Sequence, residues 1–113
     1  MRTDLDQTLT ALADPARRAI VDLLCRRPQR PSEVADALEM SRPAMSRHLR
    51  VLRAAGFIEE ETLEDDARSR LLQLRRQPFQ QLRGWVDEVE SFWTGQLRAF
   101  KDHTERKHGR RGQ

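Results

Sequence analysis

Arg42, Arg47, Arg50 and Arg53 fall within residues 40–58, a stretch that holds no Asp or Glu. Ser41, Ser46 and His48 are interleaved with them. Arginine offers a planar fork that grips phosphate or the edge of guanine, and serine can bond either base type. Met45, Leu49 and Leu52 are spaced i, i+4, i+7, which buries one face of a helix. That face leaves Arg42, Ser46, Arg47 and Arg50 mostly toward solvent. A helix exposing Ser, Arg and His from its N-terminal half, where its dipole also favours phosphate, suits the major groove of DNA. A solvated basic helix would show the same spacing, so the elements around it must discriminate.

Those elements are legible from their punctuation. Ser41 can cap the basic helix, Pro43 falls in its first turn, and Gly56 after Ala54-Ala55 can stop it. Just upstream, Ser32 can cap a short helix that turns Val34, Ala35 and Leu38 inward, and Met40-Ser41 is the turn between the two. Two short helices joined in this way have the outline of a helix-turn-helix. Further upstream, Leu5, Leu9 and Leu12 mark a first helix. Asp14-Pro15 opens a second over residues 15–26, with Ala19, Ile20, Leu23 and Leu24 as its stripe. Downstream, residues 57–63 and 68–75 lose the helical period, and Glu64-Asp65-Asp66-Ala67 between them is turn-like, so a two-stranded hairpin is expected. From Pro78 the helical period returns with Leu82, Trp85, Val86, Val89, Phe92, Trp93, Leu97 and Phe100. No apolar residue follows Lys101, and residues 101–113 are expected to form a flexible basic tail.

The chain has 113 residues, of which 35% are charged, 37% hydrophobic and 5% aromatic. That is material for one small core, and it disfavours a multidomain enzyme with a deep cleft. Net charge is 21 Lys and Arg minus 18 Asp and Glu, or +3. All but Lys101 and Lys107 of the bases are arginine. A GC-rich genome would raise that count unaided, so position along the chain decides its meaning. A single cysteine, Cys25, cannot close an internal disulfide, which suits a reducing cytosol. Its place near the end of an apolar helix reads as a buried structural thiol. No apolar run approaches the ~20 residues of a membrane span, and the acidic N-terminus is unlike an export signal. There is no Gly-rich phosphate loop and no nucleophile–base arrangement, so no enzyme is expected.

The stretch PSEVADALEMSRPAMSRHLRVLRAAGFIEEE resembles the helix-turn-helix core of the ArsR/SmtB family of bacterial winged-helix repressors. Ser46-Arg47-His48-Leu49, Leu52 and Ala55-Gly56 match its most recognisable signature, and LTALADPARRAIVDLL matches its usual opening. The resemblance covers residues 5–100 and is specific in 8–58. It implies a mainly α, winged helix-turn-helix fold with a small β-hairpin, dimeric through its N- and C-terminal helices. Residues 1–100 would form the DNA-binding and dimerisation domain. It further implies a homodimeric transcriptional regulator, a repressor binding an inverted repeat in an operator. Carried over by residue, Ser41, Arg42 and Ala44 fall at the start of the recognition helix, and Ser46, Arg47 and His48 on its exposed face. Arg50 lies one turn on, within reach of backbone phosphate. Arg68 and Arg70 match the basic residues that the family's wing presents to DNA. For His48, a half-buried structural role stands beside a DNA contact.

The wing departs from the family pattern. Glu59, Glu60, Glu61, Glu64, Asp65 and Asp66 crowd it with acid, the usual tip glycine is absent, and Leu72 stands where an aromatic is common. Acids would repel phosphate, so the first wing strand is expected to face away from DNA. The family's Cys-x-Cys metal pair aligns with Arg30 and Ser32, neither of them a thiolate. His103 and His108, five apart, miss the i, i+4 spacing of a shared helix face. No metal site and no cofactor are expected, and the LRGWVDEVESFWTGQLRAFKDH stretch resembles a subgroup that does not sense metals.

The last helix is apolar over more than one stripe, so a second copy of the chain is expected to cover part of it. Trp85, Val89, Phe92, Trp93 and Phe100 would form that interface with Leu5, Leu9 and Leu12. A ligand pocket lined by the tryptophans is the competing use of the same residues. The expected partners are double-stranded DNA and the second copy, with no membrane, in the cytoplasm, and a small-molecule inducer is left open. Two readings compete with the regulator: a ligand- or protein-binding adaptor on the same scaffold, and a thiol or metal sensor through Cys25.

Overall fold

The computed structural model describes residues 2–62 and 70–111, and side chains over residues 4–62 and 70–105. The order is α1 (Arg2–Ala13), α2 (Pro15–Arg26), α3 (Pro31–Ala37), α4 (Arg42–Ala54), β1 (Ile58–Thr62), β2 (Arg70–Leu74) and α5 (Gln77–Arg111). It divides into two units, residues 1–81 and 82–113.

In the first unit, proline sets where three helices begin. Pro15 occupies the first turn of α2, and the Asp14 carboxylate accepts from the Ala16 amide at 2.8 Å. Pro31 opens α3, which moves the cap to Arg30, two residues before the expected Ser32. Proline's fixed φ suits the first helical position, so it outranks the serine behind it. Glu33 reaches back to accept from the Arg30 amide at 3.3 Å. Ser41 caps α4, its hydroxyl accepting from Ala44 at 3.3 Å, with Pro43 in the first turn.

The helix-turn-helix pair closes with one motif used twice. After α4, Gly56 has φ +81°, its amide donates to Arg53 O at 3.0 Å, and Phe57 donates to Leu52 O at 2.9 Å. After α3, Glu39 has φ +53°, its amide donates to Asp36 O at 3.2 Å, and Met40 donates to Ala35 O at 2.9 Å. Both are Schellman caps, which satisfy the last orphan carbonyls of a helix. One uses glycine and the other a glutamate.

The core gathers Ile20, Val21 and Leu24 of α2, Val34 and Ala35 of α3, and Met45, Leu49 and Leu52 of α4 around Phe57, Ile58 and Leu72. Phe57 also meets Phe79 edge-on, centroids 5.0 Å apart. β1 and β2 pair antiparallel, with Glu60 opposite Leu72 and Thr62 opposite Arg70. Gln29 serves as a third partner: Leu72 donates to its carbonyl at 2.8 Å and accepts from its amide at 3.3 Å. Its buried side chain donates to Leu23 O at 2.7 Å, so no polar group is stranded there. The expected turn at Glu64–Ala67 lies outside the described residues, as does Arg68.

Cys25 corrects the sequence reading, because it is exposed rather than buried. Ile20, Val21 and Leu24 take the inward phase of α2, and residue 25 lies one step past it in the last turn. In the second unit, α5 runs on to Arg111, beyond the last apolar position. Nothing between Lys101 and Lys107 breaks a helix, and Lys101 lies 4.0 Å from Glu105 one turn on. Large apolar side chains along α5 are exposed, among them Trp93 at 60%, Phe92 at 70% and Phe100 at 72%.

Candidate nucleic-acid interface

Helix α4 divides into two flanks around its buried Met45, Leu49 and Leu52. Ser41, Arg42, Ser46, Arg47 and Arg50 are exposed, Ala44 and His48 half-buried. On one flank, Arg42 and Ser46 line a cleft of about 610 Å³ with Arg30 and Ser32 at the start of α3 and Arg70 at the start of β2. Ala35, Met45 and Leu49 also line it. Three arginines from three elements thus line one opening, and no Asp or Glu among the described residues lines it. Arg50 lies on the other flank, where it borders an apolar groove with Gln7 and Thr10 of α1.

Arg30 and Ser32 line this cleft, which the sequence reading did not anticipate. It placed them only as substitutes for metal-binding cysteines. The available signal was a base immediately before the proline that opens the first helix of the pair. Convergence with Arg70, 40 positions away in the chain, has no local signature.

His48 is tied into the scaffold by Arg17. The Arg17 guanidinium donates to Ala11 O at 2.7 Å and Thr10 O at 3.1 Å, which covers carbonyls at the end of α1. It also lies 3.7 Å from the Asp14 carboxylate and 3.4 Å from His48 Nδ1. A guanidinium only donates, so Nδ1 is the acceptor in this contact, which leaves the ring N–H on Nε2. His48 therefore has a structural partner on one nitrogen and a donor on the other. The carboxyl of Asp14 is held below its ordinary value by the Ala16 amide first and the Arg17 charge next, which together outweigh desolvation.

The acids of β1 are engaged. Glu60 binds Arg53 of α4 and lies 3.6 Å from Arg70 of β2. Glu59 lies 4.0 Å from Arg75, and Glu61 accepts from Gln73. By contrast, Arg30, Arg42, Arg47 and Arg50 have no carboxylate within 4.0 Å among the described residues. Among the same residues, no three His, Cys, Asp or Glu side chains cluster as a metal site would need, and no helix is long and apolar enough to cross a membrane.

Residues 14–60, from the cap of α2 to the middle of β1, match the bacterial regulatory proteins of the arsR family. The HTH-type transcriptional regulator Rv2034 of Mycobacterium tuberculosis is 36% identical over 95 residues, 84% of this chain and 83% of that protein. The chain belongs to the ArsR family. The likeness extends to the transcriptional repressor SdpR of Bacillus subtilis, 32% identical over 56 residues, 50% of this chain and 62% of that one. An ArsR-like transcriptional regulator from Rhodococcus sp. RHA1 superposes with a TM-score of 0.82 at 26% identity, covering 92% of this chain and 93% of that structure. Within the family's winged helix-turn-helix, α3 and α4 are the helix-turn-helix and β1–β2 the wing.

Proposed function

We propose that this ArsR-family protein is a homodimeric transcriptional repressor that reads an inverted-repeat operator through α4. The observation that carries the reading is the cleft where Arg30, Arg42 and Arg70 meet, with no acid among the described residues lining it, beside the exposed Ser46 and Arg47. Phosphate contacts position a protein on the duplex and base-edge contacts specify sequence. Arg30 and Arg42 supply the first kind, with Arg70 held back in part by Glu60, and Ser46 and Arg47 supply the second. His48, anchored through Nδ1, offers Nε2–H to an acceptor on DNA. Regulation is independent of metal, because Arg30 and Ser32 occupy the positions of the family's thiolate pair.

A half-site reader needs a partner. Trp85, Val89, Phe92, Trp93 and Phe100 are all exposed on α5, and a soluble monomer rarely shows a contiguous apolar patch beyond a few hundred Å². A second copy covers that surface and sets two recognition helices about one DNA turn, ~34 Å, apart. On α1, the exposed Leu9 and the half-buried Leu5 and Leu12 are further apolar positions that a second copy would cover.

Two measurements test this. Arg47→Ala is expected to weaken operator binding by about 1–3 kcal/mol and to narrow the gap between operator and random duplex. Equal affinity of the unmodified protein for both duplexes defeats specific readout. Phe92→Glu would place an unpaired charge in the proposed interface, so the variant is expected to sediment as a monomer and lose operator binding. Sedimentation of the unmodified protein as a monomer at micromolar concentration refutes the dimer.

A further inference from the structure

A second cleft, of about 620 Å³, opens between the last turn of α2, the loop that follows it, the end of β2 and the start of α5 at Phe79. Leu24, Leu74 and Phe79 give it an apolar lining, and Arg26, Arg27, Arg75 and Arg76 stand around it. No Asp or Glu among the described residues lines it. Arg27 lies 3.4 Å from Glu33 and Arg75 at 4.0 Å from Glu59, which leaves both guanidinium groups further donors. Arg26 and Arg76 have no carboxylate within 4.0 Å among the described residues. All of these side chains belong to the first unit, and none is in the cleft beside α4.

We propose that this cleft binds an amphipathic organic carboxylate, its apolar body against Leu24, Leu74 and Phe79 and its carboxylate between Arg26 and Arg76. Charge and shape select that class. The volume falls within the ~300–1,000 Å³ of small-molecule sites. An apolar lining rewards a hydrocarbon body, and paired guanidinium forks match a carboxylate in two-pronged geometry. A neutral apolar molecule would leave the arginines unused, and a cation would be repelled by Arg26 and Arg76, which have no carboxylate within 4.0 Å among the described residues. The site is separate from the DNA-binding surface, so the proposal stands or falls independently of operator recognition.

Cys25 supplies the reporter. It is the chain's single cysteine, it is exposed, and it lines the cleft. Its rate of alkylation by iodoacetamide therefore reads occupancy directly. The full-length protein is titrated with decanoate below its micellar concentration, and in parallel with decanol, decylamine, inorganic phosphate and a random DNA duplex. Decanoate is expected to slow alkylation saturably, with decanol and decylamine needing at least about tenfold higher concentration and phosphate giving no protection. Arg26→Glu and Arg76→Glu change exposed side chains, so circular dichroism should stay unchanged while the decanoate midpoint rises about tenfold. Midpoints are compared rather than basal rates, because a new carboxylate beside the thiol alters its reactivity by itself. Calorimetry on Cys25→Ser separates occupancy from any contribution of the sulfur, and binding is expected to survive. Equal protection by decanol and decanoate, or an unmoved midpoint in both arginine variants, overturns the proposal. Protection by DNA with none by decanoate overturns it too, and makes the cleft a phosphate-backbone contact instead.

Discussion

Replacing Glu60 by Gln should make the protein bind DNA more tightly and with a steeper salt dependence. Glu60 is partly sheltered, its side chain 22% exposed, and it holds Arg53 of α4 and Arg70 of β2 at once. Both arginines are at least half exposed, so the pairs stabilise the fold by only about 0.2–1 kcal/mol each, and the variant should remain folded. A phosphate gripped by either arginine would lie roughly 7 Å from the Glu60 carboxylate, across the width of the guanidinium. At that distance, repulsion in water-like dielectric is about 0.6 kcal/mol, or threefold in affinity, and more where the interface excludes water. Each arginine released to neutralise a phosphate adds about 0.9 to the log–log slope of affinity against salt. Two per protomer give a steepening between about 0.9 and 1.8 for each protomer bound, twice that for a dimer. Fluorescence anisotropy on a random duplex, over roughly 50–200 mM salt, measures both quantities without knowledge of the operator. Glu61→Gln is the matched control: it removes the same charge from the same strand, but Glu61 is bonded to Gln73 and holds no arginine. It should shift affinity modestly and leave the slope alone. Equal slopes for the two variants would show that Glu60 does not withhold Arg53 and Arg70 from DNA.

Two further outcomes follow from the caps. The lowered carboxyl of Asp14 contributes stability that is complete above its ordinary value of 3.8 and is lost as pH falls through its depressed folded value. Asp14→Asn keeps a capping oxygen without the titration, so urea midpoints from neutral pH down to about 3 should decline less steeply than in the unmodified protein; parallel declines would exclude Asp14 as a source of acid lability. Glu39 holds the left-handed position that Gly56 holds after α4, at a cost of roughly 1 kcal/mol for a side chain. Glu39→Gly should therefore raise the melting temperature by a few degrees and Glu39→Val lower it, and equal melting of the two would contradict the assigned backbone strain.

The helices were legible because their signals are local. Asp14-Pro15, Ser41 and Gly56 act within a few residues of themselves, and the i, i+4, i+7 stripe of Met45, Leu49 and Leu52 is a property of one helix. The misreadings are instructive for the same reason. Ser32 lost the cap of α3 because Pro31, its neighbour, fixes the start of the helix more firmly than a hydroxyl can. Cys25 was judged by the apolarity of α2, whereas burial depends on phase, and Leu24 already occupies the last inward position. The family signature located the helix-turn-helix pair, yet it said nothing of Arg17, whose bonds to Thr10, Ala11 and His48 bring three elements together.

The arginines of α4 show what a count of charge leaves out. In sequence, Arg42, Arg47, Arg50 and Arg53 are four equal bases on an acid-free helix. In the fold, Arg53 is claimed by Glu60, which the β1–β2 register places opposite Leu72 and within reach of both α4 and Arg70. The acid that was expected only to repel DNA therefore also selects among the bases. It restrains Arg53 and Arg70 at the wing and leaves Arg42 and Arg47 without a carboxylate partner among the described residues, on the helix proposed to read the major groove. A protein with every arginine unpaired would hold any duplex tightly, because phosphate attraction is blind to sequence. Offsetting that attraction at the wing lowers the nonspecific background and leaves base contacts from α4 a larger share of the total. If α4 reads DNA as proposed, the acidic wing strand acts, on this physical ground, as a determinant of specificity rather than a defect in the family pattern.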